Sequence, residues 1–205
     1  MPSQLPILAV QGLFCEGWKH PQKVIPDLRY IYEVQLPRHL AASYSAYRLK
    51  ILKSVSPTNR GEQELFHGTS RRCMLGNEPE LSKPCNNTSC RLCCIVRGSF
   101  VIAKAGTADG RAFLRFGRGI YTSSVSSKAD DYTVTPPGSG YRAMLVARIV
   151  LGKGFPLKVT TSHLTGPPSG YHSVIGEVGS HLNYDEQVVY KNEAARPAYL
   201  IIYKL

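Results

Sequence analysis

The stretch FGRGIYTSSVSSKADDY, residues 116 to 132, constrains the backbone more tightly than any other part of the chain. Gly117 and Gly119 bracket a basic residue and let the chain turn into Ile120 and Tyr121, a path that a Cβ atom would hinder. A Ser/Thr-rich cap then opens a short polar helix that ends near Tyr132. A short strand followed by a short helix returns Tyr121 and Tyr132 toward each other. Taken alone, these residues allow two readings: the rings are core anchors, or they wall a slot for a flat ring.

The rest of the chain reads as short strands with a period of two and few long helices. Leu5 to Val10 is expected as an edge strand, Tyr30 to Val34 as a second strand, and a further strand leads into His67. Pro37 starts a helix in which Leu40, Tyr44, Tyr47 and Ile51 share one face, a stripe that reads as core packing. A turn with Pro57 and Asn59-Arg60-Gly61 precedes the His67 strand. A polar loop with Asp109 and Gly110 precedes the tyrosine stretch. Leu92 to Lys104 is apolar enough for a helix or a helix-strand pair under the sheet. Later strands are expected at Ala143 to Leu151, Glu186 to Lys191 and Ala198 to Tyr203. This pattern predicts an α+β fold whose antiparallel-rich sheets split around a cleft. With 205 residues and no internal repeat or composition shift, one domain over residues 1–205 is expected, carrying a cysteine-rich insert at 73–94.

Two blocks flank the tyrosine stretch: Glu64-Leu65-Phe66-His67-Gly68-Thr69 before it and Leu182-Asn183-Tyr184-Asp185-Glu186-Gln187-Val188-Val189-Tyr190 after it. Gly-Tyr-His-Ser-Val at 170 to 174 falls between the second and third blocks. In order and spacing these blocks resemble the catalytic domain of the poly(ADP-ribose) polymerase (PARP)-like ADP-ribosyltransferases, the branch with a His-Tyr-Glu motif. The resemblance covers the chain from about Trp18 to Leu205. It implies two small sheets with NAD+, the co-substrate, held between them.

Cleaving the bond between nicotinamide and ribose requires a clamp on the ring, a grip on its amide, and negative charge beside a sugar that becomes oxocarbenium-like. The resemblance implies that His67, Tyr121 and Glu186 are the catalytic residues. His67 would bind the ribose on the adenosine side, Gly68 the carboxamide, Tyr121 and Tyr132 the ring faces, and Thr69 and Lys128 would complete the NAD+ site. Glu186 would stabilise the developing positive charge, as carboxylates do in glycoside hydrolysis. Ala129 follows Ser127-Lys128 where the family commonly has a serine, so one hydrogen bond to the carboxamide is expected to be missing, worth about 1 kcal/mol.

Cys73, Cys85, Cys90, Cys93 and Cys94 crowd into the insert. Thiolates at such spacing suit a tetrahedral structural zinc, with Cys85, Cys90 and Cys93 as first choices and Cys73 as the fourth ligand. Reduced buried thiols or disulfides are the other readings. Cys94 is expected to point into the core.

The net charge of +11 favours anionic company: a dinucleotide, an acidic protein or a nucleic acid. No apolar run approaches a bilayer crossing and no signal peptide is evident, so a soluble, monomeric, intracellular protein of nucleus or cytoplasm is expected, with no membrane partner. The reading that results is an NAD+-dependent transfer of ADP-ribose, mono rather than poly, to a protein acceptor. The alternatives are a silent module that binds NAD+ or ADP-ribose, and a transferase acting on nucleic-acid ends.

Overall fold

The computed structural model describes residues 5–56, 61–107 and 113–205. The turn at Pro57 to Arg60 and the loop around Asp109 and Gly110 lie outside the described residues. In chain order the elements are α1 (Ile7–Glu16), β1 (Asp27–Glu33), α2 (Arg38–Ser54), β2 (Glu62–His67), α3 (Arg91–Gly98), β3 (Ile120–Thr122), α4 (Ser126–Asp130), β4 (Arg142–Val150), β5 (Gly154–Leu157), β6 (Ser173–Gly176), β7 (Glu186–Val189) and β8 (Ala195–Lys204). Two four-stranded sheets form, in the orders β1-β8-β4-β2 and β3-β7-β6-β5. Every pairing is antiparallel except β5 with β6. The fold is α+β, with antiparallel-rich sheets and few helices, as the sequence pattern predicts.

The central strands β4 and β8 are apolar on both faces because both faces of their sheet are covered. Leu145, Ala147, Ile149, Leu200 and Ile202 pack on the side of α3, with Leu92 and Cys93. Met144, Val146, Tyr199, Ile201 and Tyr203 pack on the other side, with Val10 and Phe14 of α1. Residues of opposite parity enter opposite clusters, the period of two expected of a pleated strand.

The edge strand expected at Leu5 to Val10 is corrected to the start of α1. Pro6 sits just ahead of the helix and its carbonyl accepts from the amides of Ala9 and Val10. Val10 and Phe14, one helical turn apart, are both fully buried. The Phe14 ring lies 5.1 Å from Tyr203 and 6.2 Å from Phe66, so tertiary packing favours the helical period over the extended one. On α2 the stripe holds: Tyr44 and Ile51 are buried and Tyr47 is partly so.

The two sheets are stitched at a seam where β2 meets β3. The Phe66 amide donates to the Ser123 carbonyl at 2.8 Å and the Ser123 amide returns the bond at 3.1 Å. This bridge places the end of β2 against the end of β3. The segment with Gly170 to Val174 holds the second sheet to the end of β4. There Ser173 Oγ donates to the Leu151 carbonyl at 2.8 Å and the Lys153 amide donates to His172 Nδ1 at 3.0 Å.

Candidate active site

The three sequence blocks meet at this seam. His67 ends β2, Tyr121 is the middle residue of β3, and Glu186 opens β7, whose Val188 pairs with Tyr121. The His67 Nδ1–H donates to the Tyr121 carbonyl at 2.8 Å. That bond fixes the tautomer and leaves Nε2 as an acceptor. Packing around the ring pushes the His67 imidazole below its usual range, so the neutral form prevails at neutral pH. The ring stands perpendicular to Phe100, with centroids 5.1 Å apart, at 89°.

The Tyr121 hydroxyl is committed to its own turn. It accepts from the Phe116 amide at 2.8 Å and donates to the Gly117 carbonyl at 2.7 Å. Burial pushes this phenol well above its ordinary range. With both hydrogen-bonding roles of the hydroxyl occupied, the aromatic face is what Tyr121 can offer a ligand. Tyr132, just past α4, is 43% exposed.

Gly68 joins the β2 end to α4. A Cβ built there would lie 1.8 Å from the Ala129 carbonyl oxygen and 3.0 Å from Tyr132 Cβ. The sequence suggests glycine here for ligand approach; the structure adds a packing reason, because α4 occupies the space a side chain would need. Ala129 is itself buried, among Phe14, Phe66 and Tyr203. The Thr69 carbonyl accepts from the Val134 amide at 3.3 Å.

Glu186 is 7% exposed. Its Oε1 lies 2.9 Å from Lys128 Nζ, and that ammonium also donates to the carbonyls of Tyr184 at 2.9 Å and Asp185 at 3.1 Å. Burial lowers the Lys128 pKa, while the Glu186 charge acts to raise it. Arg115 Nε stands 3.8 Å from Glu186 Oε2, and its Nη1 donates to Thr160 Oγ1 at 2.7 Å. The Oε2 atom is buried and has no hydrogen-bond partner among the described residues.

Sequence reasoning missed several residues that build this arrangement. Asp185 gathers hydrogen bonds from Ser123 Oγ and Ser124 Oγ, each at 3.0 Å, and from the side-chain amide of Gln187. Ser127 Oγ accepts from the amides of Lys19 and His20 at 2.9 and 3.1 Å, so it staples α4 to the N-terminal segment. Asp130 is 2% exposed and takes Lys23 Nζ at 2.8 Å, Arg142 Nη1 at 2.7 Å and the Tyr203 hydroxyl at 2.6 Å. The run of Ser and Asp around α4 was the available signal for this polar scaffold. Nothing local marks Phe100 or Arg115.

The four cysteines expected as metal ligands also come together. The Sγ atoms of Cys73, Cys85, Cys90 and Cys93 all lie within 4.8 Å of one another, and all six cysteines are free thiols. Such a set can hold a structural zinc. Cys94 is corrected: its sulfur faces the carbonyls of Asn87 and Thr88 and the guanidinium of Arg97 near the surface, because α3 turns its neighbour Cys93 inward instead.

Residues 95–180 match the family model for the poly(ADP-ribose) polymerase catalytic domain. The matched span takes in Tyr121, Lys128 and Tyr132 and leaves His67 and Glu186 outside. The chain is also similar to the protein mono-ADP-ribosyltransferase PARP3 of Mus musculus, with 29% identity over 140 residues, or 67% of this chain and 24% of that protein. It therefore spans about a quarter of that relative's length.

Proposed function

The chain is PARP-like in fold and in sequence, and from that premise we propose that it is an NAD+-dependent mono-ADP-ribosyltransferase with a protein acceptor. The observation that carries this reading is the Glu186 carboxylate, oriented through Oε1 by Lys128 while the buried Oε2 lacks a hydrogen-bond donor. An unmet buried acceptor costs about 1–3 kcal/mol. A ribose hydroxyl of NAD+ would remove that cost, and the chemistry of the remaining residues fits the rest of the molecule. The mono assignment takes its support from the similarity to the mouse mono-ADP-ribosyltransferase.

In this reading the aromatic faces of Tyr121 and Tyr132 hold the nicotinamide ring, and the Gly68 backbone offers its N–H and C=O to the carboxamide. His67 Nε2 accepts a hydroxyl from the adenosine-side ribose. The bond between the ribose carbon and the pyridinium nitrogen breaks with its electron pair going to nitrogen, so nicotinamide leaves neutral. Positive charge then develops on the sugar beside Glu186, where a fixed carboxylate stabilises it without solvent reorganisation. The acceptor nucleophile forms the new bond at the same carbon and gives its proton to solvent. Lys128 acts as a positioning residue, since it holds the carboxylate and does not meet the reacting carbon.

The test is incubation of the protein with labelled NAD+ and a cell extract, followed by mass analysis of labelled proteins. Attachment of single ADP-ribosyl units to protein is expected. A ladder of polymers would overturn the mono assignment, and nicotinamide release with no labelled protein would leave only a glycohydrolase.

A further inference from the structure

The cysteine-rich insert lies outside the machinery just described, yet it is built as closely. Four ligands around a zinc ion at about 2.3 Å stand about 3.8 Å from one another. Cys73 Sγ lies 3.8 Å from Cys90 Sγ and 3.4 Å from Cys93 Sγ. Thiols gathered at that spacing leave room for an ion at their centre. The Arg72 amide donates to Cys90 Sγ at 3.2 Å. Metal-bound thiolates are commonly oriented by such donors.

A second feature points the same way. Arg71 is 1% exposed and carries a permanent charge. Its hydrogen bonds go to the Leu75 carbonyl, Asn77 Oδ1, Ser139 Oγ and the Tyr141 carbonyl, all neutral acceptors. Among the described residues no carboxylate pairs with it, and a buried guanidinium without a counter-charge is costly. Cys73 stands two residues along the chain and the Arg72 amide meets Cys90 Sγ, so the cysteine cluster adjoins it. Four thiolates around one divalent ion carry a net charge of about −2, which supplies the missing partner.

The insert also has a mechanical link to the cleft. Cys90 precedes α3 and Cys93 lies in its first turn, while the Leu92 amide donates to the Ser70 carbonyl just beyond β2 at 3.0 Å. After α3, Ser99 turns the chain with φ of 62°, and Phe100 lands perpendicular to the His67 ring. We infer that Cys73, Cys85, Cys90 and Cys93 bind one zinc ion, and that this ion clamps α3 to the end of β2 and so holds Phe100 against His67. The ion has no open position for chemistry once four thiolates surround it. Its role is to keep one wall of the cleft in place.

The metal assignment stands apart from the transferase reading, and its tests do not use turnover. Protein purified without chelator should contain close to one zinc per chain by elemental analysis. Exchange with cobalt should give the visible d–d envelope and sulfur-to-cobalt band of a tetrahedral tetrathiolate. Cys85→Ser should weaken zinc binding about tenfold or more in competition with a chromophoric chelator, whereas Cys94→Ser and Cys15→Ser should bind as the wild type does. Should Cys85→Ser fail to fold, the cobalt spectrum of the wild-type protein still decides. Folded protein without zinc above background and without that spectrum, or with intact-mass evidence of disulfides, overturns the site. For the clamp, metal removal under reducing conditions should shift the His67 ring resonances in NMR spectra, and zinc should restore them. Unmoved resonances overturn the link to the cleft and leave the zinc site standing. If no NAD+ binds in either state, the transferase reading fails while the cobalt and NMR results still decide these two points.

Discussion

At the scale of single residues, the site depends on protonation states that burial and partners have set. His67 works as an acceptor only while neutral, and its imidazole is held below the usual range by the packing around it. The unfolded chain takes a proton near pH 6.5, above the folded value. Between the two the unfolded state binds more protons, so the stability that neutral His67 contributes is present above pH 6.5 and is lost as pH falls toward the folded value. Affinity for a non-hydrolysable NAD+ analogue should therefore stay level from mildly alkaline pH down through about 6.5 and fall only at lower pH, as the folded imidazole takes its proton. Calorimetric titration across that range checks it, with His67→Gln expected to bind weakly and to lose this dependence. Asp130 has the same sign for a different reason. Burial alone would raise its pKa, but hydrogen bonds from Lys23, Tyr203 and Arg142 hold it below the usual carboxylate range. Its stabilising effect is thus present above about pH 4 and is lost as pH falls. Asp130→Asn leaves two cations facing a neutral amide and should cost about 3 kcal/mol, read by denaturant unfolding.

At the scale of elements, α4 decides the geometry because it is pressed against the end of β2. Gly68→Ala would drive a methyl group into the Ala129 carbonyl, so α4 or β2 must move. A loss of about 2 kcal/mol in unfolding free energy is expected, with weaker NAD+ binding as Tyr132 shifts. The strands β4 and β8 were readable in the sequence as apolar runs, and β2, β3 and β7 through the blocks that hold His67, Tyr121 and Glu186. The helix α1 was not, since Leu5 to Val10 is too short to separate the two periods. Only the burial of Val10 and Phe14 against Tyr203 settles it. The site divides in the same way. His67, Tyr121, Lys128 and Glu186 stand in recognisable blocks, and the seam between Phe66 and Ser123 brings those blocks together. Arg115 beside Glu186 and Phe100 beside His67 are products of that long-range pairing and leave no local trace. Cys94 escaped for the related reason that adjacent residues on a helix face different ways, and spacing alone does not say which of Cys93 and Cys94 turns inward.

At the scale of the whole molecule, the bridge between Phe66 and Ser123 brings the ends of β2 and β3 together, and β7 pairs with β3, so His67, Tyr121 and Glu186 stand on neighbouring strands. Among the described residues no helix is long and apolar enough to cross a membrane. The positive charge of the chain suits an anionic dinucleotide, and Lys128 and Arg115 bring part of that charge to within 4 Å of Glu186. The central claim is that this carboxylate serves the bond-breaking step and not merely the fold. The most direct test measures nicotinamide release from NAD+ by wild-type and Glu186→Gln protein, with NAD+ binding followed by calorimetry on the same samples. The account predicts release by the wild type, a rate lower by about a hundredfold or more in the variant, and NAD+ binding retained within a few fold. Equal release by the two proteins, or binding of NAD+ with no release by either, would contradict it.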